Sequence, residues 1–356
     1  MGAQRFDNIN LLRAFAALWV VVYHVIEYSG WTSFPSEGPL VTFRIGWLGV
    51  DLFFVISGFV IAYSALCLYR TSPLLFAREY WRRRLSRILP LYLVTLFAWV
   101  LLAGTFRLPP GELARQLLTH LTFTHSFWPD THGAIDGPNW SLAIEMQFYL
   151  AIALLVRWID RTPGWRIWLY GIAIAWAWRA AMYWLHADEG AFQVFVAVTQ
   201  LPGVLDEFGA GIFLAKLVLD GPPPGRWRGL GWLAAAGAAG FAAMALYWPW
   251  APYWNIPAMV IFWRTLFAAF LLAVVASAVY LPQILAHPAM RPLDHLGDVS
   301  YGIYLWHLFA VIGVIHLGGY QRLVALAGVL ALTIATAMIS WRYLEKPILE
   351  RARRGS

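Results

Sequence analysis

Long apolar stretches dominate this sequence, and most of them are about 20 residues long, the length that an α-helix needs to cross a bilayer. Of the 356 residues, 60% are hydrophobic and only 13% are charged, whereas soluble domains carry about 25% charged residues. No interval is left for a large soluble domain. The chain is therefore predicted to be all-α: a polytopic integral membrane helix bundle that forms a single membrane-embedded domain over residues 1–356.

The apolar runs predict about ten transmembrane helices, with bounds good to a few residues. The sixth run contains Pro202, which predicts a broken or re-entrant helix at that point. We predict helices at 9–28, 46–68, 87–104, 139–157, 166–186, 194–218, 229–249, 259–281, 298–317 and 322–342.

Positive charges are distributed unevenly between the predicted loops. About 20 of the 26 Lys and Arg residues lie on the side of the N-terminus, which the positive-inside rule makes cytoplasmic. With ten helices both termini lie on that side. We therefore expect a multi-pass protein of the cytoplasmic (inner) membrane. The net charge of +7 then reflects orientation, and no nucleic-acid partner is predicted.

Three ionisable residues fall at similar depths in three predicted helices. With a rise of about 1.5 Å per residue, His24, Asp51 and Glu145 lie roughly 6, 7 and 9 Å below the same membrane face. A carboxylate in contact with His24 would orient it as a general base. Alternatively, each is a polar side chain satisfied by a neighbouring helix. Ionisable residues inside a membrane span are functional-site candidates by default.

Arginines are placed so that they suit an anionic ligand. Arg13 and His24 differ by about 20° around the first helix and by about 16 Å along it, so they share a face. Arg84 and Arg87 are three residues apart and are neighbours on a helix surface, where planar guanidinium groups suit phosphate. The alternatives remain open: Arg13 extends to lipid headgroups, and Arg84 and Arg87 belong to a topogenic loop.

The remaining polar features are less specific. Ser57 lies in mid-span beside a glycine, where helices or a ligand can approach closely. Trp140 lies at a helix start, as an interfacial anchor would, and about 140° around the helix from Glu145. The single cysteine, Cys67, excludes an internal disulfide. No metal site is predicted, because no compact ligand spacing is formed by the loop residues His120, His125, His132, Asp130 and Asp136.

Taken in chain order, these motifs resemble the membrane acyltransferase-3 family over nearly the whole chain. The first helix carries an arginine, ten residues and a histidine in "LLRAFAALWVVVYH", and the second carries Ser57 in "GVDLFFVISGFVI". The arginine pair lies in "RRRLSRILPLY", and Trp140 and Glu145 lie in "WSLAIEMQFYL". Further similar segments are "LDEFGAGIFLA", "VSYGIYLWH" and "RYLEKP".

The sequence departs from the family pattern at two places. Met146 stands where many members have a second glutamate, and Asn8-Ile9-Asn10 stands where many have Asp-Gly. The chain ends shortly after the tenth predicted helix. We therefore expect the stand-alone form, without the extracytoplasmic hydrolase-like domain that some members carry.

The resemblance implies an integral-membrane O-acyltransferase that moves an acyl group, usually acetyl, from cytoplasmic acyl-CoA to a hydroxyl of an extracytoplasmic glycan or glycolipid. Acetyl-CoA is then the donor substrate, and direct transfer is expected because nothing in the sequence demands an acyl-enzyme. The implied catalytic residues are His24 as base with Glu145 and Asp51. The implied donor-binding residues are Arg13, Arg84, Arg87, Ser57 and Tyr149, and Trp140 and His307 are implied to contact the acceptor.

Two other functions fit the polar residues. A proton-coupled transporter or exporter would use the histidine and carboxylates as a proton relay, although no inverted repeat is evident. A non-catalytic scaffold or sensor would leave the intramembrane charges without a purpose. The acceptor, the acyl length and the oligomeric state are not encoded in any feature that we recognise.

Overall fold

The computed structural model describes residues 6–102, 104–223, 225–247, 253–316 and 321–354. Within these ranges the chain is helical and contains no strand, which confirms the all-α prediction. The α-helices of these ranges are α1 (Asn8–Tyr28), α2 (Gly49–Thr71), α3 (Phe76–Leu102), α4 (Pro110–Leu121), α5 (Trp140–Arg161), α6 (Gly164–His186), α7 (Ala191–Val198), α8 (Leu205–Asp220), α9 (Arg226–Tyr247), α10 (Arg264–Tyr280), α11 (Arg291–Asp298), α12 (Ser300–His316), α13 (Arg322–Ser340) and α14 (Lys346–Arg354).

The predicted apolar runs all overlap these helices, and the differences lie where polar residues continue a helix. α3 begins at Phe76 rather than at 87, because its arginine-rich first half is helical without being apolar. The amphipathic α4 and the basic α14 lie outside every predicted run, for the same reason. Predicted helix residues 103, 248, 249 and 317 lie outside the described residues.

Seven helical segments of the described chain are long and apolar enough to cross a membrane, and a bent pair, Pro288–Asp298 with Ser300–Ile315, gives an eighth if it counts as one span. α6 is not among them, and α7 and α8 are too short, with 8 and 16 residues. A multi-pass membrane bundle is thus confirmed, whereas ten spans and cytoplasmic termini stay predictions. The seven are Asn8–Tyr28, Pro39–Thr71, Phe76–Leu102, Gly137–Arg161, Arg226–Tyr247, Met259–Tyr280 and Arg322–Arg354.

The predicted break at Pro202 is present. α7 ends at Val198, a single turn of 3-10 helix follows at Leu201–Val204, and α8 begins at Leu205. Proline lacks the N–H that a continuous helix would need at this point.

α2 lies at the centre of the bundle and packs against α1, α5, α8 and α10. Its approach to α8 requires glycine on both helices. A Cβ at Gly58 would lie 2.4 Å from the Phe208 carbonyl oxygen, and one at Gly211 would lie 2.3 Å from the Val55 carbonyl oxygen. Small residues allow such backbone contact between membrane helices, and the contact fixes the position of α2, which carries Asp51 and Ser57.

Candidate active site

A cavity of 510 Å³ lies between α1, α2, α3, α5, α12 and α14. One end lies among the first turns of α3 and the residues of α14, and we call this side of the bundle the arginine face. The other end lies among the first turns of α2 and α5, toward the side that carries residues 29–48 and 104–139, which we call the loop face. The cavity therefore runs from a basic end to an end lined by Val50, Phe53, Phe54, Ser141 and Tyr304.

Arg84 and Arg87 both line this cavity and are held in fixed orientations. Arg84 donates a hydrogen bond to the Ser64 hydroxyl and lies over the rings of Tyr80 and Tyr149. Arg87 lies 3.3 Å from the Glu345 carboxylate, donates to the Asp298 carbonyl oxygen at 3.1 Å and lies over the ring of Trp341. Guanidinium groups oriented in this way are preorganised for an anionic ligand.

Arg13 also lines the cavity, and unlike Arg84 and Arg87 it has no acceptor among the described residues. Among the described residues it makes no hydrogen bond and no ion pair, although Arg87, Glu145 and Asp298 act on its charge. Arg13 is half-buried, and its planar guanidinium group has free donors that suit an anionic ligand. The Arg13 side chain is therefore the strongest candidate for contact with an anion inside the cavity.

Glu145 belongs to the cavity and is bound by two other cavity residues. The Ser57 hydroxyl and the Tyr149 hydroxyl each donate to Glu145 Oε1 at 2.8 Å. All three side chains line the cavity. The structure thus brings Ser57, Tyr149 and Glu145 together, deeper than the arginines.

Asp51 is elsewhere in the bundle. It is 1% exposed and accepts a hydrogen bond at 2.7 Å from Arg264, which also lies 2.7 Å from Glu207. Arg179 pairs with Asp206 at 2.6 Å in the same region. These charges tie α2, α6, α8 and α10 together, and buried charges persist only when paired in this way.

His24 contacts neither of the carboxylates predicted to orient it. Within the described residues no hydrogen bond or ion pair joins His24 to Asp51 or to Glu145. Its Nδ1 atom lies 3.0 Å from the Val20 carbonyl oxygen and 3.1 Å from His307 Nε2. Similar depth in three helices did not bring the three side chains together, because Asp51 and Glu145 face other partners.

Tyr304 lies between the cavity and this histidine pair. Its ring lines the cavity and packs edge-on against Phe53, with centroids 5.8 Å apart. Its hydroxyl is 2.7 Å from the Ser141 hydroxyl and donates to the Pro138 carbonyl oxygen at 2.8 Å. Neither His24 nor His307 lines the cavity, whereas Tyr304 does, and its ring centroid lies 5.8 Å from that of His307. No charge or spacing in the sequence distinguishes Tyr304, although it lies one helical turn before His307.

Three histidines of the loop face are buried and pack against other rings. Their pKa values are lowered by burial, to about 3 for His120 and about 4 for His132. The His120 and His125 rings stack in parallel, 4.1 Å apart, and His132 stacks on Trp140 at 5.5 Å. The described residues hold no group of three or more His, Cys, Asp and Glu side chains arranged for a metal.

Comparison with known proteins decides the class of this bundle. A family model described as an acyltransferase domain matches residues 6–342. The chain belongs to the acyltransferase-3 family. It is therefore an acyltransferase, and this assignment favours the enzyme over the transporter and the scaffold.

Individual relatives cover almost all of the chain. MdmB of Streptomyces mycarofaciens, named as an acyltransferase, is 29% identical over 94% of this chain and 88% of MdmB. BcsY of Komagataeibacter xylinus is 28% identical over 97% of this chain and 83% of BcsY. OatA of Staphylococcus aureus, named as an O-acetyltransferase, is 26% identical over 97% of this chain and 57% of OatA. No solved structure matches the chain.

Proposed function

We propose that this acyltransferase moves an acyl group, most simply acetyl, from acyl-CoA to a hydroxyl of a glycan or glycolipid. One observation carries the proposal: a cavity with an arginine-rich end leads to a cluster of two hydroxyl groups and a carboxylate. Acyl-CoA combines a phosphorylated nucleotide with a long, weakly polar arm that ends in a thioester. The shape and charge of the cavity match that combination.

The arginine face would bind the donor. Arg84 and Arg87, already fixed by their partners, would bind phosphate oxygens, and Arg13 would gain the acceptor that it lacks in the structure. Guanidinium groups bind phosphate through paired hydrogen bonds, which position the ligand as well as attract it. The thioester would then lie near Ser57, Tyr149 and Glu145.

The loop face would receive the acceptor, and His24 would take the proton from the attacking hydroxyl. His24 is half-buried and lies near the loop-face end of α1, where its ring centroid is 6.1 Å from that of Tyr28. A neutral imidazole within hydrogen-bond reach of a hydroxyl is a suitable general base. The acceptor oxygen forms the new ester bond and the carbon–sulfur bond breaks. The thiolate of CoA then takes back the proton held by His24, so that CoA leaves as the thiol and His24 is neutral again.

This mechanism requires Tyr304 to move or to be displaced. The donor cavity ends at Tyr304, and His24 lies beyond it. Binding of an acceptor from the loop face would supply the energy to open the bonds of Tyr304, so that donor and base meet only when both substrates are present. Exclusion of water until then would protect the thioester.

The distribution of charge supports the orientation. The loops on the arginine face hold most of the Lys and Arg residues, so this face would be cytoplasmic, where acyl-CoA is made. The acceptor would lie on the outer side of the cytoplasmic membrane. O-acetylation in the name of OatA is compatible with an oxygen acceptor here.

The test uses membranes that contain the full chain, acetyl-CoA labelled in its acetyl group, and surface glycans from a strain that lacks the protein. We expect label on the glycan and release of free CoA in equal amounts. Mass spectrometry of glycans from the deletion strain should show the loss of one acyl group and so identify both acyl chain and acceptor. Movement of glycan across the membrane without any labelled product would contradict the proposal.

A further inference from the structure

The two buried histidines are linked by a hydrogen bond whose direction can be deduced. His307 Nδ1 lies 2.6 Å from the Tyr304 carbonyl oxygen, and His24 Nδ1 lies 3.0 Å from the Val20 carbonyl oxygen. A carbonyl oxygen only accepts hydrogen bonds. Both Nδ1 atoms must therefore carry a hydrogen.

This assignment leaves a lone pair on His307 Nε2 in the neutral ring. That lone pair faces His24 Nδ1 at 3.1 Å, so the His24 N–H donates to Val20 and to His307 together. His24 Nε2 is left with a lone pair and with no partner among the described residues. The nitrogen that can accept a proton is thus the one that the protein leaves unbound.

The burial of the two rings separates their roles. His307 is 0% exposed, and both of its nitrogens bind protein atoms. An acceptor sugar could contact it only if one of these bonds broke. His24 is half-buried, so the outer ring of the pair is the one within reach of a substrate.

We propose that His307 is a positioning residue that holds His24 with Nε2 free as the base. The inference rests on the proposed function, since it assigns His307 a role in proton transfer by His24. When His24 takes a proton, its Nδ1–H stays on His307, and the new positive charge is stabilised by a neutral acceptor. A carboxylate, which orients the base in serine hydrolases, is not needed.

Tyr304 couples this pair to the donor cavity. The same residue closes the cavity with its ring and fixes the ring orientation of His307 with its carbonyl oxygen. A shift of the Tyr304 backbone that carried its ring along would therefore change the access of the donor and the orientation of His307 together.

The first experiment compares His307→Gln with His307→Leu in the full-length protein. A glutamine can accept from His24 Nδ1 and donate to the Tyr304 carbonyl, whereas leucine can do neither. We expect His307→Gln to keep activity within about tenfold and His307→Leu to lower kcat by about 10–100-fold, with the donor KM unchanged. The acidic limb of the kcat/KM pH profile should move to lower pH in His307→Leu, because protonated His24 loses an acceptor.

The matched control is the same pair of substitutions at His120, a histidine that is also 0% exposed. Its Nδ1 donates to the Gln116 carbonyl oxygen at 2.7 Å, and it makes no hydrogen bond to His24. Substitutions at His120 should not shift the acidic limb of the kcat/KM pH profile. An unchanged kcat and pH profile in folded His307→Leu would overturn the proposal while leaving the proposed function intact.

A second measurement does not depend on the folding of any variant. The nitrogen chemical shifts of 15N-histidine distinguish a protonated from an unprotonated ring nitrogen, and the wild-type chain has nine histidines. We expect Nδ1 to be protonated and Nε2 unprotonated in both His24 and His307. Protonation of His24 at Nε2 would overturn the proposal. The expected shifts together with full acyl transfer in His24→Ala would instead overturn the proposed function.

Discussion

The Ser57 hydroxyl donates to Glu145 Oε1 at 2.8 Å, and both side chains line the cavity, whereas Glu145 makes no contact with His24. Tyr149 donates to the same oxygen. A carboxylate that binds two hydroxyl groups can hold both in a fixed position next to a thioester. Its negative charge also acts on Arg13, so Glu145 links the basic end of the cavity to its hydroxyl end.

Glu145→Gln should lower kcat by about tenfold, because a neutral amide binds the two hydroxyl groups less strongly than a carboxylate does. The acidic limb of the pH profile should stay in place, since Glu145 makes no contact with His24. Steady-state transfer assays across pH measure both quantities. Glu112→Gln, at an exposed position, is the control. A shift of the acidic limb of the pH profile in Glu145→Gln would show that the Glu145 carboxylate acts on His24.

Arg13→Gln should raise the donor KM by about 10–100-fold, because a charge-assisted hydrogen bond contributes about 1.5–3 kcal/mol. The donor KM of Arg13→Lys should fall between those of the wild type and Arg13→Gln, since lysine keeps the charge but loses the planar donor geometry. The measurement is the initial rate against acetyl-CoA concentration. The control is Arg78→Gln. Arg78 is exposed near the start of α3, so its substitution should leave the donor KM near the wild-type value. A normal KM for Arg13→Gln would remove Arg13 from the donor site.

Tyr304→Phe should make the enzyme hydrolyse acetyl-CoA when no acceptor is present. The variant loses the hydrogen bonds from the Tyr304 hydroxyl to Ser141 and to the Pro138 carbonyl oxygen. Only packing of the ring then closes the loop-face end of the cavity. Release of free CoA without glycan is the readout, and a severalfold rise is expected.

Tyr301→Phe provides the comparison for this prediction, because Tyr301 lies on the same helix and also lines the cavity. Its hydroxyl donates instead to the Ile88 carbonyl oxygen at 2.9 Å, so its loss should not admit water from the loop face. Equal rates of hydrolysis in the two variants would argue against Tyr304 as the closure.

The sequence predicted the helices well and the contacts between them poorly. Runs of apolar residues gave α1 as 9–28 against the observed Asn8–Tyr28, because local hydrophobicity fixes where a helix lies in a membrane. Local hydrophobicity could not detect the first half of α3, because this half contains Arg82, Arg83 and Arg84.

Depth along a helix axis can be estimated from a sequence, but the neighbour that a side chain meets cannot. Asp51 and His24 have similar calculated depths, yet Asp51 pairs with Arg264, 213 residues later in the chain. Likewise His307 meets His24 across 283 residues. Such pairs depend on how helices pack, so the sequence marks His307 as an ionisable residue in a predicted span but does not identify its partner.

The loop-face segment should lose stability as the pH falls below about 6.5. Burial lowers the pKa of His120 to about 3 and that of His132 to about 4, and it also lowers the pKa of His125. In the unfolded segment these rings take up protons near the usual histidine pKa of 6.5, so the unfolded form binds more protons in this window and gains stability relative to the folded form.

Asp136 opposes this trend, because burial raises the pKa of its carboxyl well above the usual range and the folded form then holds its proton. Three histidines outweigh one carboxyl, so stability still falls toward acid. Hydrogen exchange of residues 119–139 between pH 7 and 4 measures the effect, and His120→Gln should reduce the slope. Exchange that slowed toward acid, after correction for the intrinsic rate, would contradict the assignment.

The rate of label transfer from acetyl-CoA to glycan by His24→Ala tests the central claim most directly. The variant should be compared with wild-type protein in membranes at equal amounts of folded chain. Because His24 supplies the only proton acceptor that we assign to the reaction, kcat should fall by about 100-fold or more, while the donor KM stays close to the wild-type value. Transfer at the wild-type rate by folded His24→Ala would contradict the account.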